Sequence, residues 1–220
     1  MKNRAVRLEP LGEQIADDLR SKIIYQTIPA GERLVETEVA RQYDVSRGPV
    51  RDAFMLLMNE GLIEKKRQSC VVRGLSEKDV RDMYEVRVAF EEIAVTHIVS
   101  DISSISWKEM DDCITRMDAA IKANDTNRYA QEDLDFHDEL IKSSKNERVI
   151  DFWSTLMPIF SVMLQVTNAE DEDLTPSFDD HVVILNSLKA GKTADVKTLI
   201  DRHLEGSLNR MVRALDGEAI

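Results

Sequence analysis

Val45-Ser46-Arg47-Gly48-Pro49-Val50-Arg51-Asp52-Ala53 is the stretch on which the fold turns. Ser46 is an N-cap residue type, and Pro49 falls in the first turn that it opens, where a missing N–H costs little. Val50, Ala53, Phe54 and Leu57 recur at helical spacing, so the segment predicts a helix over 47–60 with an apolar inner face. Arg47 and Arg51 are four residues apart and leave one face of that helix about a turn apart. A guanidinium fork suits phosphate oxygens or the O6/N7 edge of guanine. Gly48 lets a backbone approach closely, and the free N–H groups at a helix start suit a phosphate. Two such arginines alone would read as a solvated face. Beside the Ser N-cap, the proline and the ribbon described next, they read as a nucleic-acid contact.

Working outward, Asp44-Val45 is a turn, and 36–43 reads as a short helix with Val39 and Ala40 inward. Leu11, Ile15, Leu19, Ile23 and Ile24 predict an amphipathic helix over 11–25, ended by Ile28-Pro29-Ala30-Gly31. Downstream, Gly61 suits the position just past the helix end. Residues 62–66 and 70–73 flank a polar tip at Arg67-Gln68-Ser69 and predict a two-stranded ribbon. Two short helices, a tight turn and a ribbon make a winged helix-turn-helix, the geometry that lays a recognition helix in a major groove. Lys65, Lys66 and Arg67 in the ribbon fit either a solvent-facing edge or phosphate contacts.

After residue 75 no strand is predicted. Ser76-Glu77-Lys78-Asp79 and Ser106-Trp107-Lys108-Glu109 fit capping boxes that open helices over 76–99 and 106–123. Further helices are predicted over 126–144, 147–168, 177–190 and 193–215, giving an all-helical antiparallel bundle. The chain is therefore mainly α, with a winged helix-turn-helix at 1–74 and a helical domain at 75–220. Charge follows that division. Residues 1–74 carry 13 Lys and Arg against 11 Asp and Glu, whereas the remainder carries 16 against 30, within a net charge of −12. Phosphate binding depends on charge within a Debye length of about 8–10 Å, so an acidic second domain is compatible with it. The two cysteines, Cys70 and Cys113, with no secretory signal and no apolar run of about 18–20 residues, predict a cytoplasmic protein with reduced thiols and no membrane association.

The second domain holds all four histidines. Asp133 and His137 are i and i+4 on a predicted helix and project into one volume; His181 and His203 lie on two others. Lone histidines are commonly surface or satisfied core residues. Should these four groups converge inside the bundle, one carboxylate and three imidazoles would form a transition-metal site. Zn is the first choice for such a set, with Ni, Fe or Mn as alternatives. Arg87, with Glu91 one turn on, reads as half of an i,i+4 salt bridge. His97 reads as structural. A metalloenzyme is disfavoured, because no nucleophile motif, general base placed by spacing or Gly-rich phosphate loop occurs.

Taken together, Ile28-Pro29-Ala30-Gly31-Glu32-Arg33-Leu34, the Val45–Ala53 stretch and Glu60-Gly61-Leu62-Ile63 resemble the signature of GntR-family bacterial regulators. Tyr84-Glu85-Val86-Arg87, Phe136-His137 with Asn146 beyond, His181 and Arg202-His203-Leu204 resemble the FCD ligand-binding domain of the FadR subfamily. The resemblance spans nearly the whole chain. It implies that Ser46, Arg47, Gly48 and Arg51 contact DNA, and that a homodimer binds a palindromic operator. It further implies that Asp133, His137, His181 and His203 are metal ligands. Arg87 then clamps a small carboxylate effector that controls operator binding, with repression relieved by effector the more frequent pattern. One departure stands out: the family carries glycine at the wing tip, where this chain has Gln68-Ser69, which implies a less close approach to the minor groove.

Overall fold

The computed structural model describes residues 10–67, 69–169 and 173–215, in two compact units that divide between Leu75 and Ser76. The first unit contains α1 (Leu11–Ile24), β1 (Arg33–Leu34), α2 (Glu36–Gln42), α3 (Arg47–Asn59), β2 (Ile63–Lys66) and β3 (Ser69–Val72). Ile15, Leu19, Ile23 and Ile24 of α1 pack on Val50, Ala53, Phe54 and Leu57 of α3. Leu11, expected on that inner face, is instead 53% exposed, because it is the first residue of α1 and its neighbour Gly12 makes the close approach to α3. A Cβ at Gly12 would lie 2.8 Å from Asp52 Cβ and 3.2 Å from the Pro49 carbonyl oxygen. Gly12→Ala should therefore lower stability by about 1–3 kcal/mol through overpacking, more than a first-turn alanine returns in helix propensity. A melting temperature equal to or above that of the parent chain would refute this.

α3 ends as expected at Gly61, whose φ of +75° is the left-handed conformation that glycine adopts without strain. The Leu62 N–H donates to the Leu57 carbonyl at 3.0 Å and the Gly61 N–H to Met58 at 3.1 Å, a Schellman closure that turns the chain into β2. The ribbon has a third member. β1 pairs antiparallel with β3, Arg33 opposite Val71 and Leu34 opposite Cys70, so the sheet order is β1-β3-β2. A two-residue strand has no alternation to read, and β1 exists because β3 presents a free edge. At the far end of α3, the buried Arg20 guanidinium grips Glu60, Nε to Oε2 at 2.8 Å and Nη2 to Oε1 at 2.6 Å.

The second unit contains α4 (Glu77–Ser100), a short 3-10 turn (Ile102–Ser104), α5 (Lys108–Ala123), α6 (Thr126–Ser143), α7 (Glu147–Ala169), α8 (Thr175–Lys189) and α9 (Thr193–Leu215). The Ser76–Asp79 capping box forms in both directions. The one expected at Ser106 does not: the 3-10 turn takes up the linker, α5 starts two residues later, and Trp107 occupies the cap position without a side-chain bond. α8 begins at Thr175, before the expected 177, because Pro176 lies in its first turn, where no N–H is needed. Contrary to the expectation of no such run, α7 is long and apolar enough to span a bilayer by length and composition. Here it is a core helix, with Trp153, Phe160 and Met163 fully buried. α4 packs on α9 and α6, α6 on α5 and α7, and α8 on α9.

Candidate metal centre and nucleic-acid interface

Ser46 takes the N-cap position of α3 with extended backbone, although its side chain makes no capping hydrogen bond. Ser46, Arg47, Gly48 and Arg51 are all exposed, and Val50 behind them is buried. A Cβ built at Gly48 would meet only the Ser46 hydroxyl at 3.9 Å, so the backbone there faces open space. Sequence reasoning did not anticipate Glu36. Its Oε2 accepts from Arg47 Nη2 at 2.6 Å and from Arg51 Nε at 3.0 Å, so α2 holds both guanidinium groups on one carboxylate. Hydrogen bonds from Arg47 and Arg51 in turn draw the Glu36 carboxyl below its ordinary value. Arg47, Lys65 and Arg67 line one groove of about 410 Å³ between α2, α3 and the ribbon, with Glu36 on its wall. Lys65, Lys66 and Arg67 are exposed, and Lys66 pairs with Glu64 at 2.9 Å. Arg67 carries the positive φ of the tip, +49°. Of the non-glycine tip, Gln68 lies outside the described residues, and Ser69 is buried, its Oγ accepting from Arg33 Nε at 2.8 Å.

In the second unit Asp133 and His137 on α6, His181 on α8 and His203 on α9 are all buried, each offering a ligand atom within 4.8 Å of the others. Asp133 Oδ1 lies 3.5 Å from His137 Nε2 and 3.4 Å from His181 Nε2. Those separations match the roughly 3.4 Å between two ligands that each sit about 2.1 Å from a tetrahedral ion. His97, read as structural, is outside this set and exposed near the end of α4.

The outer partners of the rings set what the cluster can bind. The His181 Nδ1 lies 2.7 Å from the Ser177 carbonyl oxygen, which only accepts, so Nδ1 carries the proton and Nε2 of the neutral ring carries a lone pair. His137 Nδ1 lies 2.8 Å from Glu91 Oε2, with the same consequence. Asp180 Oδ2 stands 3.7 Å from His203 Nδ1, beyond hydrogen-bond range. Asp133 Oδ1, His137 Nε2 and His181 Nε2 are buried without a hydrogen-bond partner. Three acceptors thus face one another in the core, an arrangement suited to a cation among them. A proton fits poorly, since burial pushes the His137 imidazole below its ordinary value and the His203 imidazole, with His181 adding to burial, down to about 4. The residues fit a transition-metal ion, and outer carboxylate or carbonyl partners on imidazole ligands are what such sites use.

The salt bridge expected between Arg87 and Glu91 forms, and it leaves part of the guanidinium over. Its Nε donates to Glu91 Oε1 at 2.8 Å, while Nη1 and Nη2 are buried with no hydrogen-bond partner. The rings of Tyr84, Trp153 and Phe160 surround the guanidinium at 5.9, 5.9 and 5.3 Å. Burial would pull the arginine toward neutrality, but Glu91, Tyr84 and Asp133 together outweigh it and keep the group charged. Burial would likewise raise the Glu91 carboxyl, yet His137 and Arg87 hold it down at about 2.

Two family models divide the chain as the structure does. That for bacterial regulatory proteins of the gntR family matches residues 11–72, and that for the FCD domain matches residues 82–206. The chain belongs to the GntR family and carries an FCD domain. This GntR regulator is 28% identical over 184 residues to the gluconate operon transcriptional repressor of Bacillus subtilis, covering 81% of this chain and 75% of that one. It is 24% identical to the probable D-xylose utilization operon transcriptional repressor of Paenarthrobacter nicotinovorans, over 90% of this chain and 87% of that one. Among solved structures, E. coli McbR/YncC shares the fold at a TM-score of 0.72 and 17% identity, over 94% of this chain and 99% of that one. The protein is a DNA-binding transcriptional regulator, not an enzyme. Within its FCD domain, the four residues singled out for the metal converge. The residues that hold those rings, Glu91, Ser177 and Asp180, were not anticipated in that role.

Proposed function

We propose that this GntR regulator is a repressor of the FadR subfamily that binds a palindromic operator as a homodimer and is controlled by a small organic acid bound at a metal in its FCD domain. The proposed DNA-binding domain, residues 1–74, supplies the DNA contacts: Ser46, Arg47, Gly48 and Arg51 at the start of α3, with Lys65, Lys66 and Arg67 adding phosphate contacts from the ribbon. The residues from 75 onward supply the sensor. Asp133, His137, His181 and His203 would hold the ion, zinc by preference, with nickel, iron or manganese compatible with the same donors. Bound there, the ion supplies a Lewis-acidic centre for anionic oxygens. The unpartnered Nη edge of Arg87 supplies the second anchor, since a guanidinium edge matches a carboxylate with two parallel hydrogen bonds.

One observation carries the reading. Buried acceptors that face each other and a buried guanidinium edge with no acceptor together describe a site complementary to a cation and an anion. Calorimetric titration of chelator-stripped protein with zinc, then with a panel of small carboxylates, tests it alongside gel shifts on operator DNA. Binding of an acid by the zinc-loaded protein that changes operator affinity is the expected result. Zinc that changes operator affinity while every acid is inert would make the metal itself the signal. Arg87→Met removes a charge-assisted pair worth about 1.5–3 kcal/mol, so it should weaken acid binding by roughly 10- to 100-fold while zinc still binds. Unchanged acid affinity in that variant would remove Arg87 from the effector site.

A further inference from the structure

Glu91 touches both halves of this site at once. It is fully buried on α4, one turn beyond Arg87, and 46 residues from His137 in sequence. Oε1 accepts from Arg87 Nε and Oε2 faces His137 Nδ1, each at 2.8 Å, so each oxygen has one partner. A carboxylate can do this because both its oxygens accept; an amide has only one oxygen that does. We infer that Glu91 is a positioning residue that links the anion clamp to the metal centre, a role resting on the metal-and-acid reading given above. By occupying Nε, it leaves Arg87 only the Nη edge to offer an incoming acid. By holding the Nδ1 proton of His137, it aims the Nε2 lone pair at the cluster where Asp133 Oδ1 and His181 Nε2 converge. The same carboxylate therefore has to be in place for either ligand to bind well. An ion that fixes His137 fixes Arg87 through it, and the coupling runs equally in reverse.

The competition between two donors for one acceptor provides the test. In chelator-stripped, full-length protein labelled with 15N, addition of zinc should shift the Arg87 Nε–H resonance and the His137 ring nitrogens with one common saturation curve. Glu91→Gln leaves a single accepting oxygen to be shared, and zinc affinity should fall 10- to 100-fold, as loss of an outer partner typically causes. In Arg87→Met/Glu91→Gln the amide oxygen has only His137 to serve, and zinc affinity should recover relative to Glu91→Gln. A Glu91 that merely filled space would give no recovery in the double variant. If Glu91→Gln does not fold, the labelled parent chain still decides: an Arg87 resonance unmoved by saturating zinc overturns the link. Unchanged zinc affinity in a folded Glu91→Gln also overturns it and leaves the metal reading standing. A parent chain that takes up no zinc overturns both.

Discussion

His137→Ala should abolish the response of the protein to zinc. With an ion at a thousand times its dissociation constant, binding to the native state contributes about 4 kcal/mol, which raises the melting temperature of a unit of this size by about 8–16 °C. In the parent chain that shift should appear when zinc is added to chelator-stripped protein. In the variant it should vanish, because an ion would lose the ligand that shares α6 with Asp133 and stands 3.5 Å from it. The comparison rests on the zinc-induced shift and not on the absolute melting temperature. The variant also strips the outer partner from Glu91 in a fully buried position, which destabilises the apo form on its own. Elemental analysis supplies a second readout. An equal metal content in variant and parent would show that this ring is no ligand.

Arg47→Ala/Arg51→Ala should nearly eliminate operator binding. Each arginine that reads a base with its fork contributes about 1–3 kcal/mol, so losing both costs about 2–6 kcal/mol, from tens-fold to more than ten-thousand-fold. The structure adds a reason for the upper part of that range. Both side chains are paired with Glu36, and their removal leaves its carboxylate bare on the surface proposed to meet phosphates. If the arginines contact only phosphate, affinity should drop evenly across sequences, and the slope of log affinity against log salt should fall by about one unit per residue. Gel shifts at several salt concentrations separate the two cases. Parent-like affinity for the operator in the double variant would move the interface off α3.

The elements that were legible in the chain are those whose signals are local. Ser46, Pro49 and Gly61 bracket α3 through backbone chemistry that acts over one turn, and the helix lies where they place it. Asp133 and His137 were legible as a pair because i and i+4 share a face, and the family resemblance added His181 and His203 to them. What escaped depends on tertiary neighbours. β1 is two residues long and forms only against β3. Leu11 satisfied the apolar spacing but lies at the helix start, where Gly12 takes the contact with α3. Ser106 matched a capping box whose register was lost to the 3-10 turn before it. Glu36 and Glu91 looked like ordinary acidic residues in charged helices. Their roles come from partners 11, 15 and 46 residues away, which no periodicity reports.

The ion pair between Arg20 and Glu60 has a mechanical consequence for control. Both side chains are almost excluded from water, at 3% and 8% exposure, and the fork closes on the carboxylate with two bonds. Separating such partners leaves a buried charge uncompensated and costs about 3–5 kcal/mol, beyond ordinary thermal reach. The strut joins α3, the helix proposed to meet the duplex, to α1 behind it, and it opposes a graded tilt of α3 on α1. In the regulation proposed above, a signal is then expected to carry this unit as a rigid body, changing where α3 is held and not its shape.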